Sequence, residues 1–472
     1  DPAAYTAPGA GSINGSSRGI AALAPSNRAN VGFVGGQWKA GGWWLNGSAT
    51  YDEMTQNQPF VPYTVNTAIQ GIADNGTKFD PTSLSNLPAR SFDGKVANTN
   101  LTAAAGTRFG QNFDFTLRYR YFDYDDKSPR IEFPGYVRFH AVWEPIGRVA
   151  IPYPYKKQNA GAELAWDLST ATRLSLLYDR ESWDRKHREV ANTDEDVVKL
   201  NLDTHASEKL TLHGSYEYGD RKISSYHTDA SEATFVEPET PTNLPGMRKY
   251  DEAARKYGAY NVLAQLFPSD VWNFQLGLTG RNEDYKASQF GLQYDDILQY
   301  NAEVSYTPGE RFNFFLFANR ADRKTQLKSR QSGATPSVSS LDDWTATFKE
   351  ITDTVGVGLN AKLSSRWTGN VTANYSYSDG KADFFSPPGG SPDLAVGFDN
   401  YEDIKLFSIL GRADYRISKL AKAGIFYRWE DYTLDSFIVQ GLKNYLPGAL
   451  LLNPNFGDYR GKVLGVDLTL NF

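Results

Sequence analysis

The side chains best able to do chemistry in this 472-residue chain are five histidines, two tight groups of carboxylates and a set of arginines interleaved with apolar residues. His140, His187, His205, His213 and His227 show no metal-ligand spacing. His205 and His213 fall where the two strands of one hairpin would carry them, and neither a catalytic nor a haem-ligating role is expected of them. The stretches DYDD (Asp123 to Asp126) and DED (Asp194 to Asp196) offer the oxygen ligands that Ca²⁺ takes. They lack the glycine-centred spacing of a Ca²⁺ loop and read as solvated charge at strand ends.

Cysteine is absent. That removes disulfides, thiolate metal sites, cysteine nucleophiles and covalent haem attachment through Cys-x-x-Cys-His. No nucleophile-elbow, Walker or dinucleotide motif stands in a strand-to-helix context. The chain is therefore not expected to be an enzyme, nor to carry a cofactor of its own. Its net charge of −6 argues against nucleic acid as a partner.

The arginines belong to a period-two pattern. Phe113, Phe115, Leu117, Tyr119 and Tyr121 alternate with Asp114, Thr116, Arg118 and Arg120, which sends rings to one face of a strand and charges to the other. Similar alternation recurs in about 17 segments, predicted near 29–38, 41–54, 95–106, 112–124, 156–167, 171–184, 194–206, 209–221, 256–266, 271–285, 297–307, 311–322, 349–364, 367–378, 403–417, 420–432 and 459–472. Short turns, among them Lys39 to Ala40 and Ser207 to Glu208, alternate with long polar loops near 55–94, 125–155, 222–255, 323–348, 379–402 and 433–458. Shorter loops are expected at 185–193 and 286–296. The loops at 222–255 and 323–348 read as mobile.

A soluble sandwich has no reason to gather its long loops at one end, whereas an outer-membrane barrel has short periplasmic turns and long outer loops. The expected fold is an all-β transmembrane antiparallel barrel of about 18 strands in the bacterial outer membrane. Closure is forced, because lipid offers no partner to an open sheet edge. Trp43, Trp44, Tyr124, Trp183, Trp272, Trp367 and Trp429 are expected in aromatic girdles at the two interfaces. Arg118, Arg120, His213, Glu217, Arg281, Asn374, Arg428 and Glu430 are expected to face the lumen, where they are candidates for contact with an inserted partner. In the last strand Leu464, Val466, Leu468, Leu470 and Phe472 face lipid, with the terminal ring as a barrel-assembly signal.

Residues 1–28 form a small-residue segment ahead of a barrel over 29–472. With both termini on the periplasmic side, the strand at 29–38 needs an ascending strand before it. RGIAALA (Arg18 to Ala24) is the weak candidate, and the other reading places further strands upstream of residue 1. No plug of about 100 residues precedes the first strand, which counts against a plugged receptor.

Three stretches are more specific than a generic barrel: YDRESWDRKHREVANTDEDVVKLNLD (Tyr178 to Asp203), MRKYDEAARKYGAYNVLAQLFPSDVWNFQLGLTGRNEDYKASQFGL (Met247 to Leu292) and YTPGERFNFFLFANR (Tyr306 to Arg320). The chain resembles the MtrB/PioB family over roughly Gly47 to Phe472. The resemblance implies an outer-membrane sheath around a periplasmic multihaem c-type cytochrome, with haem c carried by that partner. It further implies electron transfer across the outer membrane in extracellular respiration or iron oxidation, with an extracellular multihaem cytochrome as a second candidate partner. The alternative is a general or substrate-specific diffusion porin with an open lumen.

Overall fold

The computed structural model describes residues 19–470 apart from 74, 139, 229, 231–233, 235–243, 332–335, 391–394, 400 and 437–457. Seventeen long strands run as one antiparallel meander. They are β1 (Arg28–Ala40), β2 (Trp43–Gln56), β3 (Gly94–Phe109), β4 (Phe113–Asp126), β5 (Tyr155–Asp167), β6 (Thr172–Arg185), β7 (Asn192–Ser207), β8 (Leu210–Ile223) and β9 (Arg255–Ser269). They continue as β10 (Trp272–Asp284), β11 (Phe290–Tyr306), β12 (Phe312–Arg330), β13 (Asp343–Lys362), β14 (Trp367–Phe385), β15 (Asp403–Arg416), β16 (Ala421–Asp435) and β17 (Tyr459–Leu470). Two short pieces, Met247–Arg248 against β11 and Ala395–Phe398 against β14, complete a 19-stranded sheet.

All eight tight turns lie at one end of this sheet, and the long connections lie at the other. The β1–β2 turn falls at Gly41 and Gly42, with φ of 59° and 84°, rather than at Lys39 and Ala40. A two-residue hairpin turn that follows the strand twist needs positive φ at both central positions, which glycine adopts without a steric penalty.

β12, β13 and β14 are 19, 20 and 19 residues long, and they absorb both ends of the expected loop at 323–348 and the start of the one at 379–402. About 10 tilted residues cross a bilayer, so the excess projects as a hairpin wall beyond the membrane. Neither face of that extension meets lipid, and one of them packs Phe348 against Phe384 and Tyr401 with Ala346 and Ala382 buried. Alternation therefore vanishes there, and the sequence pattern stops short of the true strand ends.

One face of the sheet is apolar and exposed. Leu276 is 62% accessible, Leu464 70% and Val466 77%, which no soluble protein sustains over so wide a surface. At the short-turn end this face carries an aromatic girdle. Phe109, Phe113 and Trp166 stack at 5.3 and 5.6 Å, Trp272 meets Tyr306 at 4.5 Å, and Trp367 meets Tyr415 at 4.8 Å. Trp43, Trp272, Trp367 and Trp429 share this outward register. Trp44, Tyr124 and Trp183 are a correction, because the pairings Trp44↔Gly106, Tyr124↔Tyr155 and Trp183↔Lys157 put them on the opposite, lumenal face. A girdle assignment from composition cannot see that neighbours in sequence point to opposite sides.

Seventeen strands make β1 and β17 run in the same direction. Among the described residues β1 pairs with β2 and β17 with β16, and the two edges are not bonded to each other. Gly19 to Ala24 form no strand, which corrects the reading of RGIAALA as a weak first strand; Arg18 lies outside the described residues. Instead the Ile20 N–H donates to His140 Nε2 at 3.3 Å, which places this segment at the long-loop end, where β1 begins its descent.

The buried apolar residues sit largely in the outer loops. Tyr63 meets Trp143 at 5.3 Å and Phe79 meets Trp143 at 5.1 Å, while Phe133 packs on Phe60 at 6.0 Å. Residues 57–93 and 127–154 thus share a small core of their own. Burial there pushes the Tyr63 hydroxyl up to about 12.

Candidate functional site

Strand register assembles the lumenal face from residues far apart in sequence. One row across six strands reads Thr102, Arg120, Asn159, Glu181, Glu195 and Arg221, with a polar side chain at every position. Ion pairs then link the strands around the wall. Lys157 meets Glu181 at 2.8 Å, Arg255 bridges Glu195 at 2.6 Å and Glu283 at 3.1 Å, Arg281 meets Glu283 at 2.6 Å, and Arg323 meets Asp295 at 2.7 Å. Nearer the short turns Arg173 holds Asp114 and Asp167, each at 2.8 Å, and Arg412 spans Asp414 at 2.7 Å and Asp467 at 2.9 Å.

Arg118, Arg120, His213, Glu217, Arg281, Asn374, Arg428 and Glu430 all fall on this face by register, at scattered positions around the wall. Arg118 is held by Glu163, and His213 Nδ1 lies 2.5 Å from Asp203. Arg428 donates from Nε to Glu430 at 2.9 Å, and Asn374 accepts from Ser408 at 2.8 Å. Glu217 and Arg281 meet through Tyr257, whose hydroxyl donates to Glu217 at 2.6 Å while the Arg281 guanidinium lies 3.8 Å over its ring. His205 bonds Thr211 at 3.0 Å rather than His213.

The acidic stretches are divided by alternation. Asp194 and Asp196 face outward to Arg180, whereas Glu195 between them faces the lumen and Arg255. Among the described residues no group of three His, Asp or Glu side chains converges on a point that a metal ion could occupy. Leu464, Val466, Leu468 and Leu470 lie in the outward register of β17, opposite Tyr427, Ile425, Ala423 and Ala421. Phe472 lies outside the described residues.

Sequence reasoning missed how the large lumenal rings are stored. Trp44, Tyr257, Phe315, Phe317 and Phe426 each stand directly opposite a glycine on the next strand: Gly106, Gly219, Gly358, Gly356 and Gly465. Each ring lies flat across its glycine, in the space a Cβ would fill. Aromatic cover of an unprotected glycine stabilises a strand pair. Here it also keeps five bulky rings against the wall and out of the bore. The only sequence signal is a glycine inside a strand pattern, and its ring partner is unknown until the register is.

The loops were expected to move, but residues 247–254 are fastened to 186–191. Arg188 binds Glu252 at 2.6 Å and Asp251 at 2.8 Å, Lys249 pairs with Glu189, and the Val190 N–H donates to Glu252 at 3.2 Å. Arg221 caps the carbonyls of Tyr250, Asp251 and Ala253. Burial pushes the Glu252 carboxyl up, against the pull of Arg188. Burial acts the same way on Glu189, but Lys249 outweighs it and holds that carboxyl below the usual range.

The family described as "Putative outer membrane beta-barrel porin, MtrB/PioB" matches residues 3–472. No curated protein matches the chain. Among solved structures it is similar to the FrpB iron transporter of Neisseria meningitidis, at 13% identity and a TM-score of 0.46 over 95% of this chain and 65% of that one. It is similar also to the copper transporter OprC, at 9% identity and a TM-score of 0.38 over 94% and 80%. The siderophore receptor PirA of Acinetobacter baumannii gives 8% identity and a TM-score of 0.36 over 95% and 74%. The chain thus spans about two thirds of the FrpB length.

Proposed function

The chain belongs to the MtrB/PioB family of outer-membrane β-barrel porins, and from that premise we propose that it is the sheath of a transmembrane electron conduit, holding a periplasmic multihaem c-type cytochrome in its lumen. The observation that carries the reading is the cleared bore: five large lumenal rings lie folded onto glycines, and the lumenal charges are largely paired along the wall. Strands spaced about 4.8 Å apart and tilted about 40° give a 17- or 18-stranded barrel a backbone diameter of roughly 35 Å, and about 25 Å between side chains. That bore admits a slender protein.

No haem held by this chain enters the proposal: it has no cysteine for attachment through Cys-x-x-Cys-His. Haem in the partner supplies the electron transfer. The barrel keeps that partner out of lipid, fixes its position along the membrane normal and meets it with a polar, water-compatible surface. It has no catalytic role in this reading. An extracellular cytochrome would meet the rim formed by the outer loops and the β12–β14 wall.

Purification in mild detergent tests the proposal. Covalent haem absorbance in stoichiometric amount, lost together with electron transfer into sealed proteoliposomes when the partner is stripped away, is the expected result. A colourless protein with large, steady ion conductance would overturn it in favour of an open diffusion porin.

A further inference from the structure

At the outer end of the lumen, where β4, β5 and β6 meet the fastened loop at 247–254, lies a cavity of about 610 Å³. One wall is aromatic: Tyr124 stacks on Tyr155 at 5.2 Å, and Tyr155 meets Trp183 at 5.3 Å. The other groups around it are charged. Five cations, Arg185, Lys186, Arg188, Arg221 and Arg255, face three carboxylates, Glu181, Glu195 and Asp251, an excess of two positive charges.

The carboxylates are already engaged. Glu181 accepts from Lys157 at 2.8 Å and from Trp183 Nε1 at 2.6 Å, Glu195 from Arg255 at 2.6 Å, and Asp251 from Arg188 at 2.8 Å. Arg221 is spent on backbone carbonyls. Arg185 is different. Its guanidinium lies 4.5 Å over the Trp183 ring and bonds Thr193 Oγ1 from Nη1 at 3.1 Å, with no carboxylate within 4 Å among the described residues. Arg185 lines the cavity.

We propose that this cavity binds a small aromatic anion, a planar ring bearing a carboxylate or phosphate. The Arg185 fork takes the anion bidentately, the pairing for which guanidinium geometry is suited. The Tyr155–Trp183 wall takes the ring. The volume lies in the range of small-molecule sites. The proposal stands on the cavity alone and is independent of the sheath reading.

The test uses the full chain refolded in detergent micelles, with phenyl phosphate and inorganic phosphate as probes and tryptophan fluorescence and calorimetry as readouts. Phenyl phosphate should bind saturably and about tenfold tighter than inorganic phosphate. Arg185→Gln should weaken both by about ten- to a hundredfold, the effect of losing a charge-assisted pair. Arg185→Lys should recover only part, and Trp183→Leu should weaken phenyl phosphate alone. Arg366→Gln, in the β13–β14 turn at the opposite end of the sheet, should bind as the unaltered chain does, and heat-modifiable gel mobility reports that each variant is folded. Absence of saturable binding, equal affinity in folded Arg185→Gln, or an equal loss in Arg366→Gln would overturn the proposal.

Discussion

Gly356→Ala gives a sharp test of how the bore is kept clear. Gly356 lies mid-strand in β13 with Phe317 of β12 opposite it, and a Cβ built on Gly356 would overlap three atoms of that ring. Replacing glycine by alanine at an unstrained strand position ordinarily stabilises by about 0.4–1 kcal/mol, because the unfolded chain loses freedom. Here the ring must leave the wall, and forcing a methyl into a filled space costs about 1–3 kcal/mol. The second term is larger, so the variant should be less stable by about 1–2 kcal/mol. Phe317→Ala removes the obstacle, so in that background the same substitution should stabilise. Equilibrium urea unfolding in micelles of the four proteins of this cycle reads the coupling directly. If Gly356→Ala stabilises equally with and without Phe317, the ring does not occupy the glycine face and the cleared-bore argument fails.

Two further outcomes follow from the same geometry. Val466→Arg, on the outward face of β17, should cost about 2–4 kcal/mol in folding into bilayers, whereas Thr469→Arg on the lumenal face should cost little; equal losses in urea titrations from vesicles would reverse the facing assigned to the last strand. Glu189 ionises more readily when folded than unfolded, so its contribution is present above the ordinary carboxylate value of about 4.3 and is lost as pH falls through its lower folded value. Hydrogen-exchange protection of residues 186–191, corrected for intrinsic rates, should therefore hold down to about pH 4.5 and then decline, and Lys249→Gln should flatten that decline. An unchanged profile in Lys249→Gln would remove the pair from the loop clamp.

Much of the wall is legible in the residue pattern. Leu464, Val466 and Leu468 can be assigned to lipid, and Arg118, Glu217 and Arg428 to the other face, because side chains alternate with period two along any strand and the two solvents differ sharply in polarity. The same rule fails where its premise fails. Beyond the membrane neither face of β12 and β13 meets lipid, so Lys324 to Arg330 carry no alternation and read as loop. Trp44 and Trp183 mislead because a large ring suits both a membrane interface and a lumenal wall, and composition does not distinguish them.

The sequence by itself determined the seventeen strongly alternating segments, the gathering of tight turns at one end, the alternation of facing along each strand and, through three stretches of resemblance, the family. Those are local quantities, settled by neighbours within a few residues. Only the tertiary structure decided which strand positions stand opposite each other. Pairing is non-local, and nothing in the sequence around Phe317 names Gly356, nor does the sequence around Arg255 name Glu195. The cleared bore, the fastened loop and the placing of Arg185 over Trp183 all depend on those pairings.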